Sequence, residues 1–597
     1  MWPFTTDAFP ELDPSDVGVA TPVSPDDSPE AYTYDYIVVG GGTAGCVLAS
    51  RLSEDPDISV LLIERGDVAD TWMSRVPLLS GNLFRKDTQA ARWFAQPMRE
   101  ADDRSLEVVR GEGLGGASRI NGMVYTRGSP GDYNGWKAAG NKGWGYSDLE
   151  PYFVKSETCL SQPSSSFRGS KGPWINQTFF ETTYNIMSHL KRATAAVGIA
   201  EVSDVNSPHA PAAGYATLDI CMDKSMRRVS TYTAFLPPKL TQERKERLKI
   251  CTNTIVTRIE FSTGDSIRAT GVHFEALDPR YASQKYFAKA RREIVICSGA
   301  LGSPQVLLLS GIGPKEHLEA KGIPVVRDMP GVGSNMQDHV GLPVMYEVPL
   351  NDSLHEMQSN PLKAVKELVR YLVTGRGTFS QPFMQTSIFV PTRLLNANSE
   401  ITTHDRRELD ASSADHRPDI EIMPIANNCA DVVIDGKGIF SFLTALIRPK
   451  SCGSVRLASR NPRARPEVDL GFFTNAEDYE VMRKGVRLAL RLAEEIRRQG
   501  YPLKNLQVPE TENDGDVDRF IRKCLRTSYH YSSTCRMGPE SDSARPGVVD
   551  AELRVHGIRG LRVCDTSIFP DMIATHTMAP AVVVAEKCAD MMKAARK

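Results

Sequence analysis

Long apolar runs are missing from this 597-residue chain. "APAVVVA" is among its longer ones, far short of the roughly 18 residues a membrane-spanning helix requires, so no span is expected. Net charge is nearly missing as well. At −2, with a pI near 6.6, the whole chain is expected to draw neither nucleic acid nor anionic membranes. Paired cysteine spacings are absent: the eleven cysteines are odd in number and scattered, which fits reduced thiols and leaves the sequon at Asn176 without a glycan. The first stretch, 1–33, has neither the basic start nor the apolar core of a signal peptide, and the closing "AARK" is no peroxisomal tripeptide, so the expected location is cytoplasmic. Rich in Pro, Asp and Ser, 1–33 reads as a disordered or draped arm. What remains, 41% hydrophobic and 24% charged, is ordinary for a globular protein, and the length implies about two large domains.

The first organised segment is "YDYIVVGGGTAGCVLASRLSEDPDISVLLIERG". Tyr36 to Val39 read as a buried strand, and Gly40, Gly42 and Gly45 follow in a G-x-G-x-x-G pattern. A helix with Ala44, Val47, Leu48 and Leu52 on one face comes next, then a strand from Ser59 to Ile63 that ends at Glu64. Gly40 permits the tight turn, Gly42 lets the backbone approach a pyrophosphate, and Gly45 lets the helix pack on the strand. Glu64, nineteen residues after Gly45, is placed to accept hydrogen bonds from a ribose. The unit predicts a dinucleotide site without separating FAD from NAD.

Histidine is scarce, with eleven in the chain, and "TSYHYSSTCRMGP" (527–539) holds one between two tyrosines. His530 is open to three readings on this stretch alone. It is a catalytic base, a zinc ligand with Cys524 and Cys535, or a core histidine. Zinc would need a fourth ligand and tighter spacing than the six and five residues present.

Three further stretches separate FAD from NAD. "RGEGLGGASRINGMVYTRG" (110–128) and "GALGSPQVLLLSGIG" (299–313) resemble the two signatures of the glucose–methanol–choline (GMC) oxidoreductases, and "MPGVGSNMQDH" (329–339) resembles a third element of that family. "RPKSCGSVRL" (448–457) and "VVDAELRVHGIRGLRVCDTSIFPDM" (548–572) are similar to its C-terminal blocks, so the resemblance runs in order from about Tyr34 to Met592. It implies an α/β fold in which a Rossmann-like, doubly wound FAD-binding domain (34–160, 225–345 and 545–597) is interleaved with an α+β substrate domain built on an antiparallel sheet (161–224 and 346–544). Locally, 477–500 reads as a helix stopped by Gly500, the stretches from 412 and 438 read as strands, and 392–418 reads as a surface loop.

The resemblance further implies FAD, held non-covalently here because Ile120 stands where some members carry the flavin on a histidine. Cofactor contacts are expected from Thr43 and Ala44 beside the glycines, and from Gly113, Asn121, Gly122, Met123 and Val124 in the first signature. Val256, Asp565, Thr566, Thr577 and Met578 complete that set. Glu112 is a departure, an acid where the family usually has Lys, Arg or Asn. "Tyr-His" at 529–530 matches the family's base position, and His576 matches a second position that is Asn in choline- and methanol-acting members; its "HTxxP" setting is nearest to that of aryl-alcohol oxidases.

Oxidising an alcohol means removing the hydroxyl proton as a hydride passes to flavin N5, so a base and a hydrogen-bonding partner are needed. His530 and His576 are the expected pair, with O2 or a quinone-like molecule as electron acceptor. The family's frequent "HPVGT" is replaced by His530-Tyr531-Ser532-Ser533-Thr534, which leaves the substrate open. Tyr529, Tyr531, Phe379 and Phe383 suggest an aromatic pocket for an aromatic or allylic alcohol. The competing readings on the same fold are a hydroxynitrile-lyase-type enzyme and a light-driven decarboxylase.

Overall fold

A computed structural model describes residues 12–22, 29–162, 164–179, 184–262, 264, 266–278, 284–403, 405, 407–430 and 434–596. Its first sheet orders the strands Leu248–Cys251, Val60–Ile63, Thr33–Val39, Lys285–Ile296, Ala269–Ala276 and Thr254–Phe261. The first four run parallel, and Leu561–Val563 adds a parallel pairing to Lys285–Ile296. Parallel strands are buried on both faces, which explains the unbroken apolar runs at 36–39 and 60–63. Helix Thr43–Leu52 is the crossover between the first two strands of the unit, and the C-terminal helix Met578–Ala594 packs on it.

The arm is not disordered where it is described. Pro14–Val17 forms a helical turn, and Val19–Thr21 adds an antiparallel strand to Lys285–Ile296. Val17 and Val19 are buried, and burying aliphatic side chains is what holds so polar a segment down. Residues 1–11 and 23–28 lie outside the described residues.

The second sheet orders Lys504–Gln507, Val340–Val348, Gly438–Leu446, Ile420–Ile425, Thr386–Val390, Gly214–Thr217 and Glu201–Val202, antiparallel except for the last pair. Val340–Val348 straddles the boundary drawn at 345. Strand alternation sends Ile420 and Ile422 into one core, against helix Glu477–Arg498, and sends Met423 and Ile425 into the other. Glu421 therefore shares the Met423 face. Helix Glu477–Arg498 carries acids in its first turn and arginines in its last, and Gly500 follows at φ +80°. Among its described residues the 392–418 loop holds the short 3-10 turn Thr392–Leu394 and two isolated bridges, Leu395 to Ile401 and Asp410 to Pro211, with no longer strand or helix.

Candidate active site

One cavity of about 1600 Å3 runs from the glycine turn to the two histidines. Small-molecule pockets typically measure about 300–1,000 Å3, so this one has room for a cofactor and a substrate together. At its nucleotide end Gly40 takes φ +103°, which a side chain would strain. A Cβ on Gly45 would fall 1.9 Å from the Gly40 carbonyl oxygen, so only glycine lets the helix begin there. A Cβ on Gly42 would meet nothing closer than 3.9 Å, and that side of the turn opens into the cavity. Gly40, Gly42, Thr43, Ala44 and Glu64 all line it. This bare turn at a helix N-terminus fits a pyrophosphate.

Further along the same wall lie Asn121, Gly122, Met123 and Val124, then Val256, Asp565, Thr566, Thr577 and Met578. Gly45 and Gly113 stand behind the surface. The Gly113 amide donates to Glu64 Oε1 (3.0 Å), as does Gly66 N (2.8 Å), while Gly41 N donates to Oε2 (2.6 Å). Glu64 thus ties the glycine turn, the strand exit and the first-signature loop together, a role its spacing did not reveal. Burial raises its carboxyl pKa.

The acid at Glu112 is neutralised. Burial opposes its ionisation, but Arg110, Arg465 and Arg65 outweigh that and hold the carboxyl far below its usual range. Arg110 Nε donates to it at 3.0 Å, Arg65 Nε lies at 3.4 Å, and Arg465 closes a further ion pair. Buried Arg228 also lines the cavity unforeseen. It donates to Ser118 O (3.0 Å) and Asn121 Oδ1 (2.9 Å), and burial lowers its pKa to about 9.

At the other end His530 meets His339, the last residue of the "MPGVGSNMQDH" stretch, for which the sequence suggests no role. His339 Nδ1 and His530 Nδ1 are 2.9 Å apart, and His339 Nε2 lies 3.0 Å from the Ile573 carbonyl oxygen. A carbonyl only accepts, so His339 Nε2 carries the hydrogen and, in the neutral ring, Nδ1 is a lone pair. His530 Nδ1 must then be the donor, which leaves His530 Nε2 unprotonated. Burial pushes His339 down to about 4, against the opposing pull of the Glu421 carboxylate, and burial holds His530 well below its ordinary 6.5, with the charges of His339 and His576 adding to the effect there. Both rings are neutral at pH 7, and His530 lines the cavity.

The loop that presents His530 is strained. Tyr529 sits at φ +61°, an unusual backbone for a bulky side chain that costs about 1–3 kcal/mol. Its amide donates to Thr527 Oγ1 (2.8 Å), and His530 N donates to Asp338 Oδ1 (2.7 Å). Asp338, pushed up to about 7 by burial, also accepts from the Thr527 hydroxyl. The departures at Ser532 and Ser533 are absorbed without loss of hydrogen bonding, since Ser532 N donates to Gln337 O (2.9 Å) and both hydroxyls find partners.

His576 lies with its ring centroid 5.0 Å from that of His530, at 82° to it. Its Nε2 is 3.1 Å from Glu421 Oε1, which also accepts from Ser387 Oγ (2.6 Å). Burial works against the Glu421 carboxylate, but His576 and Ser387 prevail and keep its pKa lowered. Glu421 was missed; the available signal was a lone acid inside the apolar strand "IEIMPI". Tyr529, Phe379 and Phe383 line the cavity with Met384, Met423 and Leu443. Tyr531 touches the same wall, but its hydroxyl accepts from Val109 N (3.3 Å) and anchors the loop to strand Glu107–Gly111. Among the described residues no group of His, Cys, Asp and Glu is arranged to hold a metal ion.

Comparison with known proteins gives a consistent result. Two GMC oxidoreductase family models match, the N-terminal one over residues 34–341 and the C-terminal one over 449–585. Oxygen-dependent choline dehydrogenase 1 of Chromohalobacter salexigens is 32% identical over 575 residues, covering 94% of this chain and 95% of that protein. An FAD-dependent oxidoreductase from Chaetomium thermophilum superposes with a TM-score of 0.81 at 25% identity, over 94% of this chain and 99% of that one. A fungal aryl-alcohol oxidase does so with a TM-score of 0.79, also at 25% identity and over the same shares.

Proposed function

The chain belongs to the GMC oxidoreductase family, and from that premise we propose that it oxidises a neutral, largely apolar alcohol to the carbonyl compound with His530 as base and His576 as hydrogen-bond partner. FAD, when bound, supplies the hydride acceptor. The glycine turn, Glu64 and the Asn121–Val124 wall are the residues that would hold it, and Ile120 offers no nucleophile for a covalent link.

The observation that carries the reading is the chain of hydrogen bonds from the Ile573 carbonyl through His339 to His530. It fixes one tautomer and leaves a basic Nε2 lone pair beside the cavity. A neutral imidazole of this kind takes the hydroxyl proton, a contribution of about 10²–10⁴-fold to rate. Two lone pairs facing one hydroxyl would be redundant, so the second ring is assigned the proton-bearing role. The Glu421 carboxylate supports that assignment by holding His576 Nε2 at 3.1 Å, which orients the ring beside the substrate oxygen. The cavity supports an apolar substrate: Met384, Met423, Ile425, Leu443, Phe379 and Phe383 line it. Glu421 is engaged by His576 and Ser387, so it is not free to pair with a cationic substrate such as choline.

Anaerobic mixing with a panel of aryl, allylic and aliphatic alcohols, followed by flavin absorbance, tests the reading. Bleaching by an apolar alcohol and none by choline is the expected outcome. Cleavage of a cyanohydrin without bleaching, or reaction only under illumination, would replace oxidation with the lyase or decarboxylase chemistry.

A further inference from the structure

Helix Pro361–Thr374 ("PLKAVKELVRYLVT") keeps an apolar face in water. Leu362 is 85% and Val373 79% exposed, and Val365, Val369 and Leu372 are exposed between them. Half of the large apolar side chains exposed among the described residues lie on this one helix. At about 100° per residue these five occupy one arc roughly 100° wide. Folding of the helix does not call for them. The Asn360 side chain caps it by accepting from Lys363 N, Pro361 opens it, and Gly375 closes it at φ +70°. Its inner face supplies Tyr371 and Leu368 to a small core with Val76 and Phe379.

Charge is distributed to match. Lys363, Lys366 and Arg370 form a strip along one edge of the apolar arc. The helix's only acid, Glu367, is turned inward, where it accepts from Thr378 N (3.0 Å) and lies 3.7 Å from Arg370. Lys363 pairs with Glu356 of the preceding helix, and Lys366 has no ion pair among the described residues. The outward face is thus apolar, with a basic edge on which, among the described residues, Lys363 and Arg370 are ion-paired and Lys366 is not. Ala364 of this helix, with Met357 and Gln358 just before it, lines the large cavity, and three of the remaining exposed apolar residues, Phe84, Phe94 and Phe383, line it too.

The geometry points to a peripheral docking surface for an anionic lipid bilayer, with the Pro361–Thr374 helix lying in the interface and the cavity wall resting against the membrane. Interfacial helices bury an apolar face at the acyl boundary and set basic residues among anionic headgroups. A second copy of the chain is the poorer occupant, because this helix offers no outward carboxylate to another copy's cations. The near-neutral total charge, which predicts no membrane attraction, averages this local strip away. The surface stands independently of the reaction assigned to the cavity.

The test is co-sedimentation of the flavin-loaded enzyme with vesicles of equal parts phosphatidylcholine and phosphatidylglycerol, and with phosphatidylcholine alone. Binding to the anionic vesicles should exceed binding to the neutral ones. Val365→Asp/Val369→Asp should lower it at least about tenfold and Lys366→Gln roughly fivefold, with flavin content and turnover of a soluble alcohol unchanged. The absence of binding, equal binding by wild type and both variants, or equal binding to both kinds of vesicle overturns the proposal. So does a concentration-dependent dimer that Val365→Asp/Val369→Asp abolishes while no vesicle binding is found.

Discussion

The two ends of the cavity are built from different materials. The nucleotide end is made of backbone: glycines without side chains, amides gathered by Glu64, and a helix N-terminus, all but one loop supplied by residues 36–66. The histidine end is made of side chains from four distant places, His339, Glu421, His530 and His576. The first end fails when atoms are added to its glycines or the one carboxylate that gathers its amides is removed, the second when its side chains are cut back. Binding and chemistry should therefore be separable by mutation.

The largest separation is expected from His530→Ala, which should slow flavin reduction by the best alcohol about 10²–10⁴-fold while leaving the protein yellow. His576→Ala comes next, at roughly 10²–10³-fold, the usual loss when a donor to a developing oxyanion is removed. Glu421→Gln keeps the shape and deletes the charge behind His576. A hydrogen bond to a charged group is worth about 1.5–3 kcal/mol, so reduction should slow roughly ten- to a hundredfold in the same stopped-flow measurement. Glu64→Ala should act on the other end alone. Three amides lose their acceptor and FAD affinity should fall by about 1–3 kcal/mol, read by equilibrium dialysis, with the reduction rate of the flavin-loaded fraction unchanged. His576→Asn should be mildest, within about tenfold of wild type, since an amide still donates. If Glu64→Ala altered reduction while His530→Ala shed its FAD, the two ends would not be separate.

Acidity offers a further way to sharpen the contrast. Because His530 is held well below 6.5, its base form survives at pH values where an ordinary histidine would be protonated. Protonation of His530 should cut the reduction rate only below pH 6.5, and Asp338→Asn removes from the profile the Asp338 carboxyl, near 7 and bonded to the His530 amide. In that variant a fall centred at or above 6.5 would mean that burial does not depress the base.

How legible each end was in the sequence follows from how it is made. Gly40, Gly42, Gly45 and Glu64 lie within one strand–helix–strand unit, so spacing alone announced a dinucleotide turn. The same spacing concealed that Glu64 spends its oxygens on Gly41, Gly66 and Gly113. His530 and His576 were legible only through resemblance, because no local pattern tells a base from a core histidine. His339 stood in a quoted motif without a role, since its partners are a carbonyl at 573 and a ring at 530. Glu421 was hidden because only strand alternation and the register with Thr386–Val390 bring it to Ser387 and His576. The ordered strand Val19–Thr21 was hidden by composition: two buried valines outweigh the polar residues around them.

The account rests most heavily on one proton. Histidine labelled with ¹⁵N, with the His530 signals identified by their loss in His530→Ala, reports the state of each ring nitrogen directly. At pH 7 the account predicts hydrogen on Nδ1 and a bare lone pair on Nε2 of His530, with hydrogen on Nε2 of His339. A protonated Nε2 on His530, or an imidazolium there, would contradict it.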